Sequence, residues 1–282
     1  MSRRFSAPIT VFLLVVAGVA SAMLHPERPP TWHLVLEVQT APADREATAN
    51  QIMDVIKKRL DAFGVSKFEV QLQGAPANGQ ILVSLPDVRD RERLKLIITE
   101  RGKLEITPVI SAPHPVPCQV YATREEAIVS LNSGGAIPAN RRVLPYIERA
   151  ESTAELGQAN QQRSSGWVVV EAPSIINGGE LRDAAAIAAI GGASDDYEIH
   201  FSLTKAAAEK FGTWTGANIS EYVGVIFNDE VKSVAFIKSQ IFDQGVITGR
   251  FTKQAAEDLA LILRSGALPA PVKIIEEGAN KP

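Results

Sequence analysis

Leu34, Leu36 and Val38 fall on one face of residues 33–40, the period-two pattern of a half-buried strand. Between 47 and 63 the spacing changes. Ala49, Ile52, Met53, Ile56, Leu60 and Phe63 form a stripe at helical period, and Gly64 stands where a C-cap belongs. Alternation returns at Phe68, Val70 and Leu72, and a third strand is predicted over 81–85 after a turn rich in Pro, Asn and Gly at 75–79. A second helix is predicted over 89–101, with Leu94, Ile97 and Ile98 inward and Gly102 at its end, and a fourth strand over 104–110. The order strand, helix, strand, strand, helix, strand is the split βαβ, or ferredoxin-like, arrangement. It buries one sheet face under two helices and leaves the other free.

Residues 111–117, SAPHPVP, mark a boundary by their proline density. Thr123 and Glu126 have capping-box spacing and open a short helix through Leu131, which Gly134 and Gly135 end. The stretch 132–166 lacks periodicity and reads as a long loop with one short strand near Val143. A strand follows over 167–171, then a turn at Asn177-Gly178-Gly179, while the Ala-rich stretch 183–190 selects neither helix nor strand. Ile199, Phe201 and Leu203 alternate, and Thr204 caps a helix through about Thr215 on which Phe211 and Trp214 lie one helical step apart. Strands over 222–227 and 231–237 join across Asn228-Asp229, a hairpin turn. Thr252 caps a last helix whose face is Ala255, Ala256, Leu259, Ala260, Ile262 and Leu263; Gly266 ends it, Pro269 and Pro271 forbid continuation, and 272–275 is a closing strand.

The N-terminus carries a different signal. Behind Arg3 and Arg4 come twenty uncharged residues, 5–24, with the apolar centre ITVFLLVVAGVA. The basic flank keeps the N-terminus inside, so the rest of the chain is expected on the exported side. Ala20-Ser21-Ala22 fits signal-peptide cleavage, whereas twenty residues rising about 1.5 Å each are just enough to span a hydrocarbon core of about 30 Å; both readings stand. A Pro-rich linker, 25–31, follows, and no second apolar stretch approaches membrane length.

With 282 residues there is room for two domains, and a net charge of −3 without a Lys/Arg run argues against nucleic acid as a partner. The short basic clusters Lys57-Lys58-Arg59 and Arg141-Arg142 read as solvated faces. Cys118 is alone, so no internal disulfide or cysteine metal cluster forms within the chain. His25, His33, His114 and His200 are scattered without zinc-ligand spacing, and His200 sits on the polar side of its strand. The sequence has no nucleophile elbow, P-loop or dinucleotide fingerprint. The acidic pairs Glu125-Glu126, Asp195-Asp196 and Glu276-Glu277 are adjacent, point in different directions, and read as solvated surface. No catalytic residue, cofactor or metal is therefore expected. The aromatics are core by default; Phe227, Phe236, Trp214 and Tyr197 become candidates for polypeptide contact if several share an exposed patch larger than roughly 400 Å².

Several segments in order resemble one family: HLVLEVQT at 33–40, RLDAFGV within 58–74, ILVSLPDVRDRERLKLII at 81–98, KLEITPVI at 103–110, FSLTKAAAEKFGTWTGANI at 201–219, VGVIFNDEVKSVAFI at 223–237, and the helix exit SGALPAP at 265–271. Together they are similar to the first periplasmic domain of the SecD protein-export family. The resemblance implies a ferredoxin-like base (32–110 and 247–277), an inserted α+β head (111–246), a tail (278–282), and a hinge of which 111–117 is half. It favours a retained N-terminal membrane helix in a bacterial inner membrane, single-pass with the bulk of the chain in the periplasm. It also implies a non-enzymatic role in which the domain contacts the preprotein, Sec translocon subunits or a separate SecD/SecF-like membrane partner. Two departures matter. HPERPPTW, with Trp32, stands where the family carries GLDLRGG, and no membrane helices with proton-coupling charges follow, so no motor of its own is expected. The alternative is a soluble periplasmic scaffold or peptide-binding protein, released by cleavage near Ala22, that reuses the fold.

Overall fold

Residues 32–110, 118–131, 134–149, 163–190 and 196–279 are described by a computed structural model. The apolar run 5–24, the linker 25–31, the proline-dense 111–117 and residues 150–162 lie outside the described residues. The elements in chain order are β1 (Trp32–Val38), α1 (Arg45–Phe63), β2 (Glu69–Gln73), β3 (Gln80–Leu85), α2 (Arg91–Thr99), β4 (Leu104–Val109), α3 (Arg124–Val129), β5 (Arg141–Arg149), β6 (Arg163–Glu171), β7 (Ile176–Asn177) and β8 (Leu181–Ala188). Then follow β9 (Tyr197–Leu203), α4 (Lys205–Ala217), β10 (Tyr222–Phe227), β11 (Glu230–Phe236), β12 (Gln244–Phe251), α5 (Lys253–Ser265) and β13 (Val272–Ala279). The result is a mixed α+β structure with three sheets.

The first sheet has the order β13-β1-β3-β2, all neighbours antiparallel. Leu34, Leu36 and Val38 of β1 meet Ile52, Ile56 and Leu60 of α1 and Leu94 and Ile98 of α2 in one buried cluster, the stripe and alternation read from the sequence. Gly64 takes φ +85° and returns its N–H to the carbonyls of Asp61 and Leu60, as a left-handed C-cap does.

The expected fourth strand does not join this sheet. β4 pairs instead with β10, β6 and β7, and β13 occupies the position beside β1. Burial explains the exchange: β4 is buried at five of its six residues, so both its faces need cover, whereas β13 is largely exposed and suits an edge. Glu105, at 8% exposure, is buried on β4 because Lys103 at 2.8 Å and Arg142 at 3.0 Å neutralise it. In this second sheet the pairings β4–β10, β10–β11, β11–β5, β5–β6 and β6–β4 return to their start, closing around Val109, Leu144, Val168, Val170, Ile226 and Val231. The stretch 132–166, expected as a loop with a short strand near Val143, thus holds the nine-residue β5 and the first residues of β6, which extends the expected strand 167–171 back to Arg163 and pairs with β5 from Arg141↔Glu171 to Arg149↔Arg163.

The third sheet has the order β12-β9-β8. Its inner face (Ala184, Ile199, Phe201, Ile247) packs with Ala207 and Phe211 of α4 and Ala256, Leu259, Ala260 and Leu263 of α5. The Ala-rich stretch is strand β8, because small residues let α5 lie close against it. The caps Thr204 and Thr252 accept from the N–H of Ala207 and Ala255 as read.

Within α4, Thr215 is fully buried; its hydroxyl accepts from Ile241 N at 2.9 Å and lies 2.8 Å from Phe211 O and 3.0 Å from Ile241 O. Thr215→Val keeps the shape but strands a buried N–H, so a urea titration should show a loss of about 2 kcal/mol, against no loss if the hydroxyl were incidental.

α5 is buried on a broad face, with Lys253, Gln254, Glu257 and Arg264 left exposed. Ala256, Leu259, Ala260 and Leu263 belong to the third-sheet core, while Leu261 and Ile262 join Ile97 beside Phe63 and Phe227. The basic triplet on α1 is accordingly only partly a solvated face: Lys58 is exposed and Lys57 half-buried, whereas Arg59 turns inward. Arg59 is 0% exposed, and its guanidinium donates to the carbonyls of Ile97 (2.8 Å), Glu100, Arg101 (3.4 Å) and Gly266 (2.9 Å). Those carbonyls belong to the two points where the chain leaves the first sheet after α2 and returns to it after α5. The buried arginine therefore ties both crossings to α1.

Candidate polypeptide-contact surface

β8 is an edge strand. β9 is its single partner in the sheet, in the register Ala184↔Phe201, Ala185↔His200 and Ile187↔Glu198. The pleat sends Ala184 inward and leaves Ala185 and Ile187 outward, with Ile187 43% exposed and Ile190, just past the strand, 101% exposed. Val246 of β12 is opposite His200 and 39% exposed, so the outer face has aliphatic flanks around a polar centre. In that centre His200 Nε2 lies 2.7 Å from Glu198 Oε1.

From Ala184 to Ile190 the sequence AAAIAAI contains no charge and no proline. Natural edges are usually blunted by lysine, proline or a bulge. Here the charged residues, Arg182 and Asp183, and the register shift between Leu181 and Asp183 stand only at the start of the strand. The arrangement can accept another strand through main-chain hydrogen bonds, and small alanine side chains put little demand on its sequence.

The four aromatics singled out by sequence are half-buried. Tyr197, Trp214 and Phe227 pack against the same large core, and Phe227 also reaches Ile97 and Leu261. Phe236 is elsewhere, with its ring 5.3 Å from that of Tyr222. The structure thus gathers three of them in a core and places the fourth apart. Among the described residues the exposed apolar side chains are instead mainly aliphatic, with Phe242 (61%) beside α4 as the exposed aromatic. Ile187 and Ile190 were hidden in the undecided Ala-rich stretch; its unbroken lack of charge was the available signal.

Among the described residues no group of three or more His, Cys, Asp or Glu could hold a metal ion, and no helix is long and apolar enough to cross a membrane. His33 lies 3.3 Å from Glu276, across the β1–β13 pairing.

Comparison with known proteins matches two stretches of the chain. Residues 49–111 match the family model "Protein translocase subunit SecDF, P1 domain, N-terminal", and residues 153–270 match "SecDF, P1 head subdomain". The chain is 34% identical over 233 residues to the protein translocase subunit SecD of Koribacter versatilis, covering 83% of this chain and 39% of that protein. It is 33% identical over 234 residues to the SecD of Aquifex aeolicus, covering 83% and 40%. The chain spans less than half the length of these relatives. Among solved structures, a SecDF in a super-membrane-facing form superposes with a TM-score of 0.62 at 24% identity, over 90% of this chain and 32% of that one. A second, from work on SecDF as a membrane component that enhances protein export, gives 0.59 at 24% identity, over 86% of this chain and 98% of that one. These two likenesses carry the fold.

Proposed function

We propose, from the premise that this chain belongs to the SecD protein-export family through its P1 domain, that it serves protein export by holding an extended polypeptide segment against the edge of β8. The observation that carries the reading is the chargeless run Ala184–Ile190, with Ile187 outward on the edge strand β8 and Ile190 exposed in the turn just past its end. An extended chain in transit has unpaired main-chain groups in the alternation that such an edge offers, and pairing with it asks for no particular side chains. The relatives are named translocase subunits, which supports a transport component rather than an enzyme. The order β13-β1-β3-β2, with α1 and α2 on one face, supports a ferredoxin-like base completed by β13, with the second and third sheets as the head.

Lysine at an exposed edge position repels an incoming strand without touching the core. Ala185→Lys/Ile187→Lys is expected to slow export several-fold in cells that depend on this protein, with unchanged thermal stability. Normal export by the folded double variant would sink the reading.

Residues 5–24 would hold the chain in the inner membrane with its bulk on the periplasmic side. The intact mass of the mature protein should therefore include them, and it should resist carbonate extraction. A mature chain beginning at Met23 would show release instead.

A further inference from the structure

A cleft of about 450 Å³ lies where α1 ends, α2 begins and α5 passes, lined by Phe63, Arg89, Asp90, Arg93, Leu261 and Arg264 among others. Phe63, Ala62 and Leu261 give it apolar wall, and five charged side chains, those of Arg89, Asp90, Arg93, Glu257 and Arg264, stand around it. The acids of this region are each engaged within the chain. Asp258 takes Arg93 through Nε at 2.8 Å and Nη2 at 2.6 Å, Asp87 takes Arg91 at 2.8 Å, Asp90 accepts the backbone N–H of Arg93 at 3.0 Å, and Glu257 faces Lys253 at 3.9 Å. Arg93 is further held over the Phe63 ring at 5.3 Å. Arg89 and Arg264 are exposed, and among the described residues neither has an ion-pair partner. The cleft therefore presents two uncommitted guanidiniums above apolar wall, the complement of an anionic amphiphile.

The chain's path says where such a ligand would come from. Arg91, two residues beyond Arg89, lies over the ring of Trp32 at 5.1 Å, so the start of α2 is beside the first residue of β1. Seven residues, 25–31, separate Trp32 from the apolar run, and at about 3.5 Å per extended residue they reach at most about 25 Å. With residues 5–24 in a bilayer, this end of the first sheet stays near the membrane surface.

We infer that the cleft binds the phosphate headgroup of an anionic phospholipid, with Arg89 and Arg264 on the phosphate and Phe63 and Leu261 against the glycerol end. This rests on the reading that residues 5–24 lie in the membrane. It does not depend on the β8 edge. Bound lipid would set the orientation in which the domain stands over the bilayer.

The test is native mass spectrometry of the full chain in nonionic detergent, titrated with phosphatidylglycerol or with phosphatidylcholine of the same acyl chains. The wild type should retain phosphatidylglycerol preferentially, and Arg89→Gln/Arg264→Gln should lower its occupancy about ten-fold, the loss of charge-assisted hydrogen bonds to one phosphate. Both side chains are exposed, so circular dichroism should be unchanged. Equal retention of the two lipids, or a preference that survives in the double variant, overturns the proposal. Displacement of phosphatidylglycerol by an equal concentration of inorganic phosphate would make this a free-anion site, and tighter arginine-dependent binding of an oligoglutamate peptide would make it a peptide site; either overturns the lipid assignment. Carbonate extraction of the same protein reports separately on whether residues 5–24 are in the membrane, so failure of that reading is distinguishable.

Discussion

Arg59→Met should lower the free energy of unfolding by about 3 kcal/mol or more, one of the larger single-residue effects in this protein. The substitution keeps the aliphatic stem but removes the donors that meet the carbonyls of Ile97, Glu100, Arg101 and Gly266. Arg101 O keeps the N–H of Leu268 at 2.7 Å, but the carbonyls of Ile97, Glu100 and Gly266 lose this donor in a buried to part-buried joint, at about 1–3 kcal/mol for each one that water cannot reach. Relief from burying a charge offsets part of this loss. Arg59→Lys should not rescue, because a single ammonium cannot reproduce a planar fork directed at several carbonyls. Burial pushes the Arg59 guanidinium down to about 10, with Glu100 acting in the opposite direction. A base whose folded pKa lies below its unfolded value adds stability as pH rises between the two, here above about pH 10, and carries a constant penalty below. The wild-type and methionine proteins should therefore differ by the same amount throughout pH 5 to 9 in urea titrations. A difference that changes steeply within that range would show that other titrating groups dominate the joint.

Gly102→Ala is the second large effect and acts on the same joint. Gly102 has φ +72°, and a Cβ there would lie 2.6 Å from Ile262 Cγ2 and 2.9 Å from Arg59 Nη2. The left-handed backbone costs about 1 kcal/mol and the overpacking about 1–3, so the expected loss is roughly 2–4 kcal/mol. The two substitutions should be non-additive, since the added methyl meets the guanidinium that the methionine variant lacks. A double-mutant cycle measures this; strict additivity would show that the two residues do not share a site.

Both predictions concern a part of the molecule that local sequence pattern reaches only halfway. Gly102 was legible as a break in the chain, but not as the helix end itself, since α2 stops three residues earlier at Thr99 with Glu100 as its C-cap. The burial of Arg59 was not legible, because a basic triplet on a helix looks solvated until α2 and α5 are packed over it. The same limit explains β4. Its apolar residues are consistent with a strand in either sheet, and the choice lies in distant partners: Lys103 and Arg142 around Glu105, and Glu171 O, 2.7 Å from the Thr107 hydroxyl.

Caps and turns were read well because their physics is local. Thr204 and Thr252 bond within three residues, and Asn228 and Asp229 take φ of 51° and 63° as the hairpin turn requires. The candidate surface was the least legible feature. β8 is built from alanines that favour no element strongly, and which of its faces meets α5 is decided by α5. The aromatics drew attention by size, yet it is the chargeless aliphatic edge that remains outside.

The most direct measurement places a photo-crosslinking amino acid at Ile187, at Ile190 and, as an exposed apolar control on α2, at Leu96 (66% exposed), in cells carrying an export-arrested precursor. Crosslinks to the precursor from Ile187 and Ile190 and none from Leu96 are the predicted result. Crosslinks of equal strength from Leu96, or none from the β8 edge while the protein still supports export, would contradict it.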